Sequence, residues 1–354
     1  MPHLSVVSGK AGGLQAMLPM LELFRDSGRW TVELLLCDQH LRDKPFFLDG
    51  AWKPLFVGSG NDRLSSLLIG AHTIGYHWRE KKRPDLVIVY GDRADALLGA
   101  TVAHEMRIPV AHLQAGDVTG GIDNANRYAI TMLSDYAFCS SSVAAVNVEQ
   151  ATQARQGAQR IETFVVGEHH VDALLRAVEG AKRGEMIRKV PLVVHLHPDT
   201  LRGASYNRHM AEQVIDAVVA EEDCPSIWLA PCTDLHGDMI MRAYEHAGIT
   251  VTPPMPLKEF GHLLLYCRAL VGNTSATVID APALGVPSVV VGNRQYGRSW
   301  YRQYGRSWYS VSEAGDIART INSLPWNHST VRRREDAEAG QRTFKILDAE
   351  FSDA

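Results

Sequence analysis

The sequence predicts a two-domain α/β protein in which each domain is built on a Rossmann-like parallel sheet. Its 354 residues exceed what one hydrophobic core usually supports. Short apolar runs of strand length alternate with longer segments of helical period. This alternation is typical of βα units whose parallel strands are buried on both faces. A break in the alternation midway along the chain favours two sheets over one closed barrel.

Ten apolar runs, most of them rich in β-branched residues, are the predicted strands. In the first half of the chain they lie at residues 4–7, 32–36, 86–89, 109–112, 137–139 and 164–166. In the second half they lie at residues 192–196, 227–230, 269–271 and 288–291. The intervening segments include predicted helices at residues 13–27, 94–105 and 124–133.

The boundary between the domains is predicted near residue 170. Residues 171–189 have the charged helical pattern of a connecting segment, after which a new βα series begins. The expected domains are therefore 1–170 and 171–335. Residues 336–354 include the end of a last charged helix, predicted over 331–347, that could pack back on the first domain. Because ligands of open α/β sheets bind beyond the carboxyl ends of the strands, a ligand is expected between the two sheets.

The composition argues against several classes of partner. A formal net charge of −4 offers no diffuse basic field for nucleic acid or an anionic membrane. No stretch approaches the ~18 to 20 apolar residues that span a bilayer, and the N-terminal segment lacks the pattern of a signal peptide. The five cysteines show neither a CxxC pair nor zinc spacing, so buried thiols are expected. These features predict a cytoplasmic protein.

Polar residues follow two predicted strands of the first domain. Asp92 lies in the sequence Tyr-Gly-Asp-Arg at a strand end, where it could act as an acid or base, orient a sugar hydroxyl, or cap the next helix. The Gly-rich loop from His112 to Asp123 gathers an imidazole, an amide and two carboxylates. Since glycines let the backbone approach a ligand closely, this loop favours a functional role. Arg127, just beyond it, could join the site or be a helix-surface charge.

Two strand ends of the second domain have similar features. His197 precedes Pro198 at one of them, as a site residue or as a packed histidine. It shares a strand face with His195, but no convincing third ligand accompanies them and no metal site is expected. At the other, residues 272–275 read Gly-Asn-Thr-Ser between a strand and a helix, which is the pattern of a phosphate-binding turn or of an ordinary helix cap. Asp280 follows about one and a half turns further along the same predicted helix, where it could accept hydrogen bonds from ribose hydroxyls.

One short repeat stands out. The sequence RQYGRSWY occurs at residues 294–301 and again at 302–309. A period of eight that occurs only twice is not a solenoid signature. The second copy is expected to be a surface loop, or to extend the ligand site with added Arg, Tyr and Trp side chains.

Taken in order, these motifs resemble the UDP-N-acetylglucosamine 2-epimerase family, and within it the hydrolysing branch that makes N-acetylmannosamine or a related amino sugar. The resemblance spans nearly the whole chain. The matching positions are Tyr90–Arg93, His112–Asp123, Leu133-Ser134 with Phe138, Gly167 with Asp172, His197-Pro198, Pro231 with Asp234 and Gly237, Gly272–Ser275, Pro287, Arg294-Gln295 and Gly297-Arg298.

The resemblance implies a GT-B fold, a UDP-sugar ligand, no cofactor, no metal and a homodimer. In this family the enzyme removes the sugar C2 proton and expels UDP, and water then adds with inversion at C2. The implied catalytic positions are Asp92, Gln114, Asp123 and His197. The implied nucleotide- and diphosphate-binding residues are Lys10, Gly272, Asn273, Thr274, Ser275, Asp280, Arg294 and Arg298. The implied sugar-binding residues are Arg93, His112, Thr119 and Arg127.

The sequence also departs from the family pattern. Gln114 replaces the family's central glutamate, and an amide cannot hold a proton near neutral pH. Losing an essential acid or base costs about 10²- to 10⁴-fold in the step it serves. Asn124 stands where an acidic residue is common, Lys10 where the family has Thr-Arg, and Glu168-His169 where it has Ser-Pro. Two functions are therefore possible besides that of an epimerase. One is a GT-B glycosyltransferase in which Gln114 orients an acceptor, and the other is a non-catalytic nucleotide-sugar-binding protein.

Overall fold

The computed structural model describes residues 1–42, 47–58, 63–153, 160–181, 191–221, 224–298, 308–311, 314–324 and 338–351. The chain divides into two compact units. The first comprises Met1–Val118, Asp123–Ala173 and Arg334–Ala354, and the second comprises Thr119–Ile122 and Leu174–Arg333. Parts of three expected features lie outside the described residues: the connecting helix from residue 182, the start of the last helix before residue 338, and most of the RQYGRSWY repeat, at 299–307.

The first unit contains a seven-stranded parallel sheet in the order β3-β2-β1-β4-β5-β6-β7. Its strands are β1 His3–Ser8, β2 Thr31–Leu36, β3 Leu55–Phe56, β4 Leu86–Tyr90, β5 Val110–Ala115, β6 Tyr136–Cys139 and β7 Glu162–Val165. Its helices are α1 Ala11–Asp26, α2 Gln39–Arg42, α3 Arg63–Glu80, α4 Ala94–Glu105, α5 Asn124–Leu133, α6 Ser142–Ala151, the start of α7 His169–Ala177, and a last helix, Ala339–Glu350.

The second unit contains a six-stranded parallel sheet in the order β10-β9-β8-β11-β12-β13. Its strands are β8 Leu192–His195, β9 Ser226–Leu229, β10 Val251–Thr252, β11 Ala269–Gly272, β12 Ser288–Val291 and β13 Trp308–Val311. Its helices are α8 Ala204–Val219, α9 Gly237–His246, α10 Leu257–Tyr266, α11 Ser275–Val278, α12 Asp280–Ala283 and α13 Ala314–Ser323, so that the last helix of the chain is α14.

Each of the ten predicted strands overlaps an observed one, because a buried parallel strand needs a continuous apolar run. Strands β3 and β10 were not predicted, since two-residue edge strands leave no such run. Strand β13 begins inside the second RQYGRSWY copy and pairs with β12. The expectation of a surface loop is therefore wrong for Trp308 and Tyr309, which lie in an edge strand of the sheet.

The core of the first unit covers both faces of its sheet. All six residues of β1 are buried, and so are all six of β5. Helix α14 packs beside α1 and is tied in by polar contacts. The Gly340 N–H donates to Asp172 Oδ2 at 3.0 Å, and the Arg342 guanidinium donates to the Val166 carbonyl at 3.0 Å. The C-terminal helix thus belongs to the first unit.

Several candidate residues lie where the order of strand addition reverses within each sheet. In the first sheet the chain winds outward in opposite directions from the neighbours β1 and β4, and in the second from β8 and β11. In open α/β sheets, ligands bind outside the carboxyl ends of the strands at such switch points. Lys10 and Asp92 follow β1 and β4, while His197 and Asn273 follow β8 and β11.

Candidate functional site

Asp92, at the carboxyl end of β4, is held by a buried arginine. Its Oδ2 accepts a hydrogen bond from Arg127 Nη2, and its side chain is 20% exposed while that of Arg127 is fully buried. The N-cap residue of α4 is Arg93, so Asp92 does not occupy that position. The alternative of Arg127 as a helix-surface charge is wrong, because α5 directs this side chain inward.

Gln114, at the end of β5, has an uncommon backbone conformation. Its φ is +62°, and the pairing of β5 with β6 shifts register between Leu113 and Ala115. A bulge of this kind changes the direction of a side chain, here at the carboxyl end of β5, and bulges are frequent beside active sites. Gly116 follows with φ +74°, and a Cβ there would lie 2.0 Å from the Ala144 carbonyl oxygen. Close packing of the Gly116 backbone against the Ala144 carbonyl therefore helps to set the backbone conformation at the end of β5.

The Gln114 side chain links Arg127 to a second carboxylate. Arg127 Nη1 donates to the Gln114 carbonyl at 2.7 Å and lies 3.4 Å from Gln114 Oε1, while Gln114 Nε2 donates to Glu168 Oε2 at 3.0 Å. Tyr90 Oη donates to Glu168 Oε1 at 3.0 Å. A guanidinium only donates and a carboxylate only accepts, so the amide orientation is determined by its neighbours. We call Asp92, Arg127, Gln114, Glu168 and Tyr90 the strand-end network.

Arg127 is a permanently charged member of this network. Burial lowers the pKa of the guanidinium, but the nearby carboxylates of Asp92, Asp117 and Glu168 together raise it by more, so that the pKa lies above its usual value. A buried cation needs paired anions to offset its desolvation. Arg127 thereby fixes the position of Asp92 and of the Gln114 amide.

His112 supports the backbone beside Asp92. Its Nε2 lies 2.7 Å from the Gly91 carbonyl oxygen and its Nδ1 lies 3.0 Å from Thr131 Oγ1. Burial lowers the pKa of this fully buried imidazole to about 3, so it is neutral near pH 7. Since a carbonyl only accepts, the proton resides on Nε2. Both ring nitrogens contact protein groups, and this arrangement suits positioning of the Gly91–Asp92 turn.

Lowering the pH from about 7.5 to about 5 should destabilise the fold through His112 and His169. Burial lowers the pKa of each to about 3, whereas the unfolded chain titrates near 6.5. Between these values the unfolded state binds more protons, so stability present above about pH 6.5 is lost as the pH falls towards 3. Each histidine should cost about 2 kcal/mol at pH 5.

Urea unfolding at the two pH values measures this loss. The variant His169→Gln should show a smaller dependence, because one of the two imidazoles is removed. Part of the dependence remains through His112 and through His40, whose pKa burial also lowers. Equal unfolding free energies at both pH values would contradict the assignment of two neutral buried imidazoles.

Arg93 connects the ends of β1, β2 and β4. Its Nη2 donates to Asp38 Oδ2 at 2.7 Å and its Nε donates to Asp95 Oδ1 at 3.2 Å. Asp95 Oδ2 in turn accepts from the Gly9 N–H at 2.7 Å. A Cβ at Gly9 would lie 2.4 Å from Asp95 Cγ, so only glycine fits this contact. The cluster thereby fixes the backbone just before Lys10, which is half-buried at the N-cap of α1.

The loop that follows β5 is shared between the two units. Asp123 lies at the N-cap of α5, where its carbonyl accepts the Arg127 N–H at 3.1 Å. Thr119 belongs to the segment Thr119–Ile122 of the second unit. Within that unit the Gly120 N–H donates to the Arg294 carbonyl at 3.2 Å, and a Cβ on Gly120 would lie 2.7 Å from the Asn293 carbonyl oxygen.

In the second unit, Asn273 joins the ends of β8 and β11. Its Nδ2 donates to the His197 carbonyl at 2.8 Å, and its Oδ1 accepts the His197 N–H at 2.7 Å. At Gly272 the strands approach so closely that a Cβ would lie 2.0 Å from the His195 carbonyl oxygen. Asn273 is almost fully buried, so its side chain orders His197.

The His197 ring has two backbone groups near Nδ1. The Leu196 carbonyl oxygen lies 2.9 Å away and the Cys232 N–H lies 3.2 Å away. The first contact requires a proton on Nδ1 and the second requires a lone pair, so they favour opposite tautomers. The half-buried ring also packs edge-on against His195, with centroids 4.6 Å apart. An imidazole can both donate and accept a proton, so His197 is a candidate for proton transfer.

The turn after β11 and the segment at Arg294–Gln295 contain buried polar side chains. Arg294 Nε donates to the Pro198 carbonyl at 3.2 Å, and Arg294 Nη1 and Gln295 Nε2 donate to the Asn273 carbonyl at 3.3 and 3.0 Å. Thr274 Oγ1 and Gln295 Oε1 are buried with no hydrogen-bond partner among the described residues. Such groups are costly unless something satisfies them. A ligand phosphate or hydroxyl would satisfy Thr274.

The helix that follows this turn differs from the expectation. The sequence suggested one continuous helix, whereas the structure has the four-residue helices α11 and α12 with a break at Ile279, whose φ is −118°. Asp280 is the first residue of α12 and is buried. Ser275 is half-buried at the start of α11, and Arg298 is buried beyond β12. Two short helices provide a weaker dipole than one long helix.

Glu168 is a site residue that the sequence motifs do not predict. In sequence it stands out only as a glutamate where the family has serine. The signal that could have identified it is the pair of departures, a carboxylate lost at position 114 and one gained at 168. The contact itself depends on the order of β5, β6 and β7 in the sheet.

Three further properties concern metal ligands, helix length and cysteines among the described residues. No group of three His, Cys, Asp or Glu side chains among them is arranged to hold a metal ion. No helix in the described part of the chain is both long and apolar enough to cross a membrane. None of the five cysteines forms a disulfide bond, and burial raises the pKa of Cys139 to about 12.

The sequence of this chain is similar to those of several known proteins. The family described as UDP-N-acetylglucosamine 2-epimerase matches residues 62–339. The UDP-N-acetylglucosamine 2-epimerase of Neisseria meningitidis is 26% identical over 223 residues, which cover 61% of this chain and 57% of that protein. The UDP-N,N'-diacetylbacillosamine 2-epimerase (hydrolyzing) of Legionella pneumophila is 28% identical over 254 residues, which cover 68% and 65%. The chain thus spans less than two thirds of the length of these relatives.

Solved structures of similar fold cover the chain more completely. A UDP-N-acetylglucosamine 2-epimerase from Listeria monocytogenes, described as putative, has a TM-score of 0.78 at 15% identity and covers 100% of this chain and 97% of its own. The UDP-GlcNAc 2-epimerase of Neisseria meningitidis bound to UDP-GlcNAc has a TM-score of 0.77 at 16% identity, with 98% and 99% covered. These likenesses confirm the predicted α/β fold of the GT-B type.

Proposed function

Because the chain belongs to the UDP-N-acetylglucosamine 2-epimerase family, we propose that it binds a UDP-N-acetylglucosamine-like sugar nucleotide and converts it to UDP and N-acetylmannosamine or a related amino sugar. The observation that carries this proposal is the strand-end network, in which buried Arg127 holds the Asp92 carboxylate beside the switch point of the first sheet. A positioned carboxylate next to a fixed cation is what proton abstraction from a sugar carbon requires.

The proposed reaction has two stages. A base removes the C2 proton, the C2–H electron pair becomes the C1–C2 double bond, and the C1–O bond breaks so that UDP leaves with its electron pair. An acid then returns a proton to the opposite face of C2, water adds its oxygen to C1, and the proton that this water loses restores the acid. The atoms sum to a UDP-sugar plus water giving UDP and the C2-epimeric free sugar.

The residues of the first unit are assigned to the sugar. Asp92 and Asp123 share proton transfer, and Arg93 binds sugar hydroxyls. His112 and Arg127 position the strand ends, which their burial and contacts support. Because Arg127 and His112 are fully buried, they can hold the strand-end residues within hydrogen-bond reach of one bound substrate.

The residues of the second unit are assigned to the nucleotide. Thr274, Ser275 and Arg294 contact the diphosphate, and Asp280 accepts from ribose hydroxyls. Asn273 orders His197, which takes part in proton transfer. Arg298 is also assigned to the diphosphate, and Gly272 to close backbone approach. Two assignments are exceptions to this division: Lys10, of the first unit, to the diphosphate and Thr119, of the second unit, to the sugar.

The place of action and the assembly belong to the same proposal. Free, largely buried thiols suit a reducing compartment, so the protein is assigned to the cytoplasm. The family resemblance supports a homodimer.

The residue Gln114 favours a second candidate, a glycosyltransferase that uses a nucleotide-sugar donor. An amide held between Arg127 and Glu168 can orient an acceptor hydroxyl but cannot exchange a proton with a sugar carbon. This candidate needs an acceptor, whereas the epimerase needs only water.

Product analysis with UDP-N-acetylglucosamine alone distinguishes these functions. UDP together with N-acetylmannosamine is the expected result. UDP release only after addition of an acceptor would support the glycosyltransferase and overturn the epimerase. Tight UDP binding without turnover of UDP-N-acetylglucosamine or its diacetylated analogue would indicate a non-catalytic binding protein.

The variant Thr274→Val should weaken UDP binding without destabilising the free protein. The Thr274 hydroxyl is buried and has no hydrogen-bond partner in the described part of the chain, so its removal breaks no hydrogen bond found there. A hydrogen bond to a charged phosphate contributes about 1.5–3 kcal/mol, or roughly 10- to 150-fold in affinity. Calorimetric titration with UDP and thermal unfolding of the free protein measure the two effects.

Thr277→Val is the matched control. Its hydroxyl is equally buried but donates to the Thr274 carbonyl at 2.6 Å. This variant should lose about 1 kcal/mol of stability through the broken hydrogen bond. Unchanged UDP affinity in Thr274→Val would remove this residue from the proposed diphosphate site.

A further inference from the structure

We propose that Glu168 is the carboxylate that accepts the sugar's C2 proton in this chain, in place of the residue at position 114. This inference rests on the function proposed above. It assigns a catalytic role to a residue in the segment between β7 and α7, where the sequence motifs placed none.

Glu168 is buried, and its two oxygens are held by different strand ends. Only 3% of the residue is exposed. Oε1 accepts from Tyr90 Oη at 3.0 Å and lies 3.4 Å from the His170 N–H, while Oε2 accepts from Gln114 Nε2 at 3.0 Å. A buried carboxylate is costly unless it is hydrogen-bonded. The donors therefore keep an anion in one orientation at the carboxyl edge of the sheet.

Glu168 shares the surroundings of Arg127 with two other carboxylates. Asp92, Asp117 and Glu168 each act electrostatically on this one buried guanidinium. Asp92 accepts a hydrogen bond from Arg127, while Glu168 accepts from the Tyr90 hydroxyl and the Gln114 amide. Glu168 thus lies in the same charged surroundings as Asp92, a carboxylate already assigned to proton transfer.

The amide at position 114 explains why the carboxylate is at position 168. Gln114 presents Nε2 to Glu168 and Oε1 to Arg127. A glutamate at position 114 would place a second carboxylate about 3 Å from Glu168, and like charges so close cannot both ionise. The two positions are therefore complementary. The network accommodates an ionised carboxylate at 114 or at 168, with its neutral partner as the hydrogen-bond donor.

The chemical step is balanced as follows. Glu168 takes H⁺ from C2, the C2–H electron pair forms the C1–C2 double bond, and UDP leaves with the electrons of the C1–O bond. Since C2 inverts, the returning proton comes from the opposite face and from a second group, Asp92 or Asp123 in its protonated form. Water then forms the new C1–O bond, and the proton that this water loses restores the acid. Glu168 then passes its proton to solvent, which restores the carboxylate.

The first test is the variant Glu168→Gln, assayed for UDP release from UDP-N-acetylglucosamine and for deuterium uptake at C2. The expected result is a kcat lower by about 10²- to 10⁴-fold, with KM and UDP affinity changed less than about threefold. Glu162→Gln is the matched control, because Glu162 lies on β7 in an exposed position. It should retain wild-type kcat.

The second test exchanges the two side chains. Gln114→Glu/Glu168→Gln moves the carboxylate across the 3.0 Å hydrogen bond and keeps one amide in the pair. This double variant should recover at least about tenfold of the kcat lost in Glu168→Gln. A residue with a purely structural role would not be rescued in kcat by a carboxylate at the neighbouring position.

The outcomes separate this inference from the proposed function. Wild-type turnover together with a Glu168→Gln variant within about threefold of the wild-type kcat overturns only the role of Glu168. Loss of kcat without recovery in the double variant also overturns it, in favour of a structural role. A wild-type protein that binds UDP but shows neither turnover nor C2 exchange overturns the proposed function itself.

Discussion

A chain with the substitution Arg127→Met should lose about 3 kcal/mol of unfolding free energy. Removing one partner of a buried ion pair typically costs about 3–5 kcal/mol, because the remaining charge is left unpaired. We expect the lower end of this range because the Asp92 side chain is 20% exposed and can therefore be partly solvated when Arg127 is removed. The Gln114 carbonyl also loses its 2.7 Å hydrogen bond to the guanidinium. Guanidinium chloride unfolding at neutral pH measures the change.

Arg208→Met is the matched control for this experiment. Arg208 pairs with Glu212 at 2.8 Å on the surface of α8, where the two side chains are 58% and 42% exposed. Exposed pairs of this spacing contribute about 0.3–0.5 kcal/mol. If both variants lost the same small amount, Arg127 would not be the buried charge on which the strand-end network depends.

The variant Asp92→Asn should lower kcat for UDP release by about 10²- to 10⁴-fold. Asparagine keeps an oxygen that can accept from Arg127, but it cannot accept or return a proton near neutral pH. UDP affinity should change less than about threefold, since Asp92 is assigned to the sugar and not to the nucleotide. Steady-state kinetics with UDP-N-acetylglucosamine and calorimetric titration with UDP provide the two readouts.

Asp26→Asn serves as the control, because Asp26 ends α1 with a side chain 63% exposed in a surface pair with Arg25. Its kcat should equal that of the wild type. Near-wild-type kcat in Asp92→Asn would remove Asp92 from proton transfer and leave it only a structural pairing with Arg127.

The positions of ten strands could be predicted because each buried strand needs a continuous apolar run. For the same reason the polar residues after β4, β5, β8 and β11 could be located from sequence. The bulge that gives Gln114 a φ of +62° could not, because glutamine has no local preference for that conformation. It arises from the pairing of β5 with β6 and from close contact at Gly116.

Contacts between distant residues were also beyond the sequence. Gln114 and Glu168 are separated by 54 positions, and His197 and Asn273 by 76. Both pairs form because the sheet order brings the carboxyl ends of particular strands together. The burial of Arg127 has a similar origin, since the helical period alone allowed an outward orientation.

The central claim is that this chain moves a proton at C2 of a UDP-sugar. Incubation with UDP-N-acetylglucosamine in deuterium oxide, followed by proton and carbon NMR of the free sugar, measures this directly. The account predicts UDP and an N-acetylmannosamine product whose C2 bears deuterium. A free sugar that keeps its original hydrogen and configuration at C2 would contradict it.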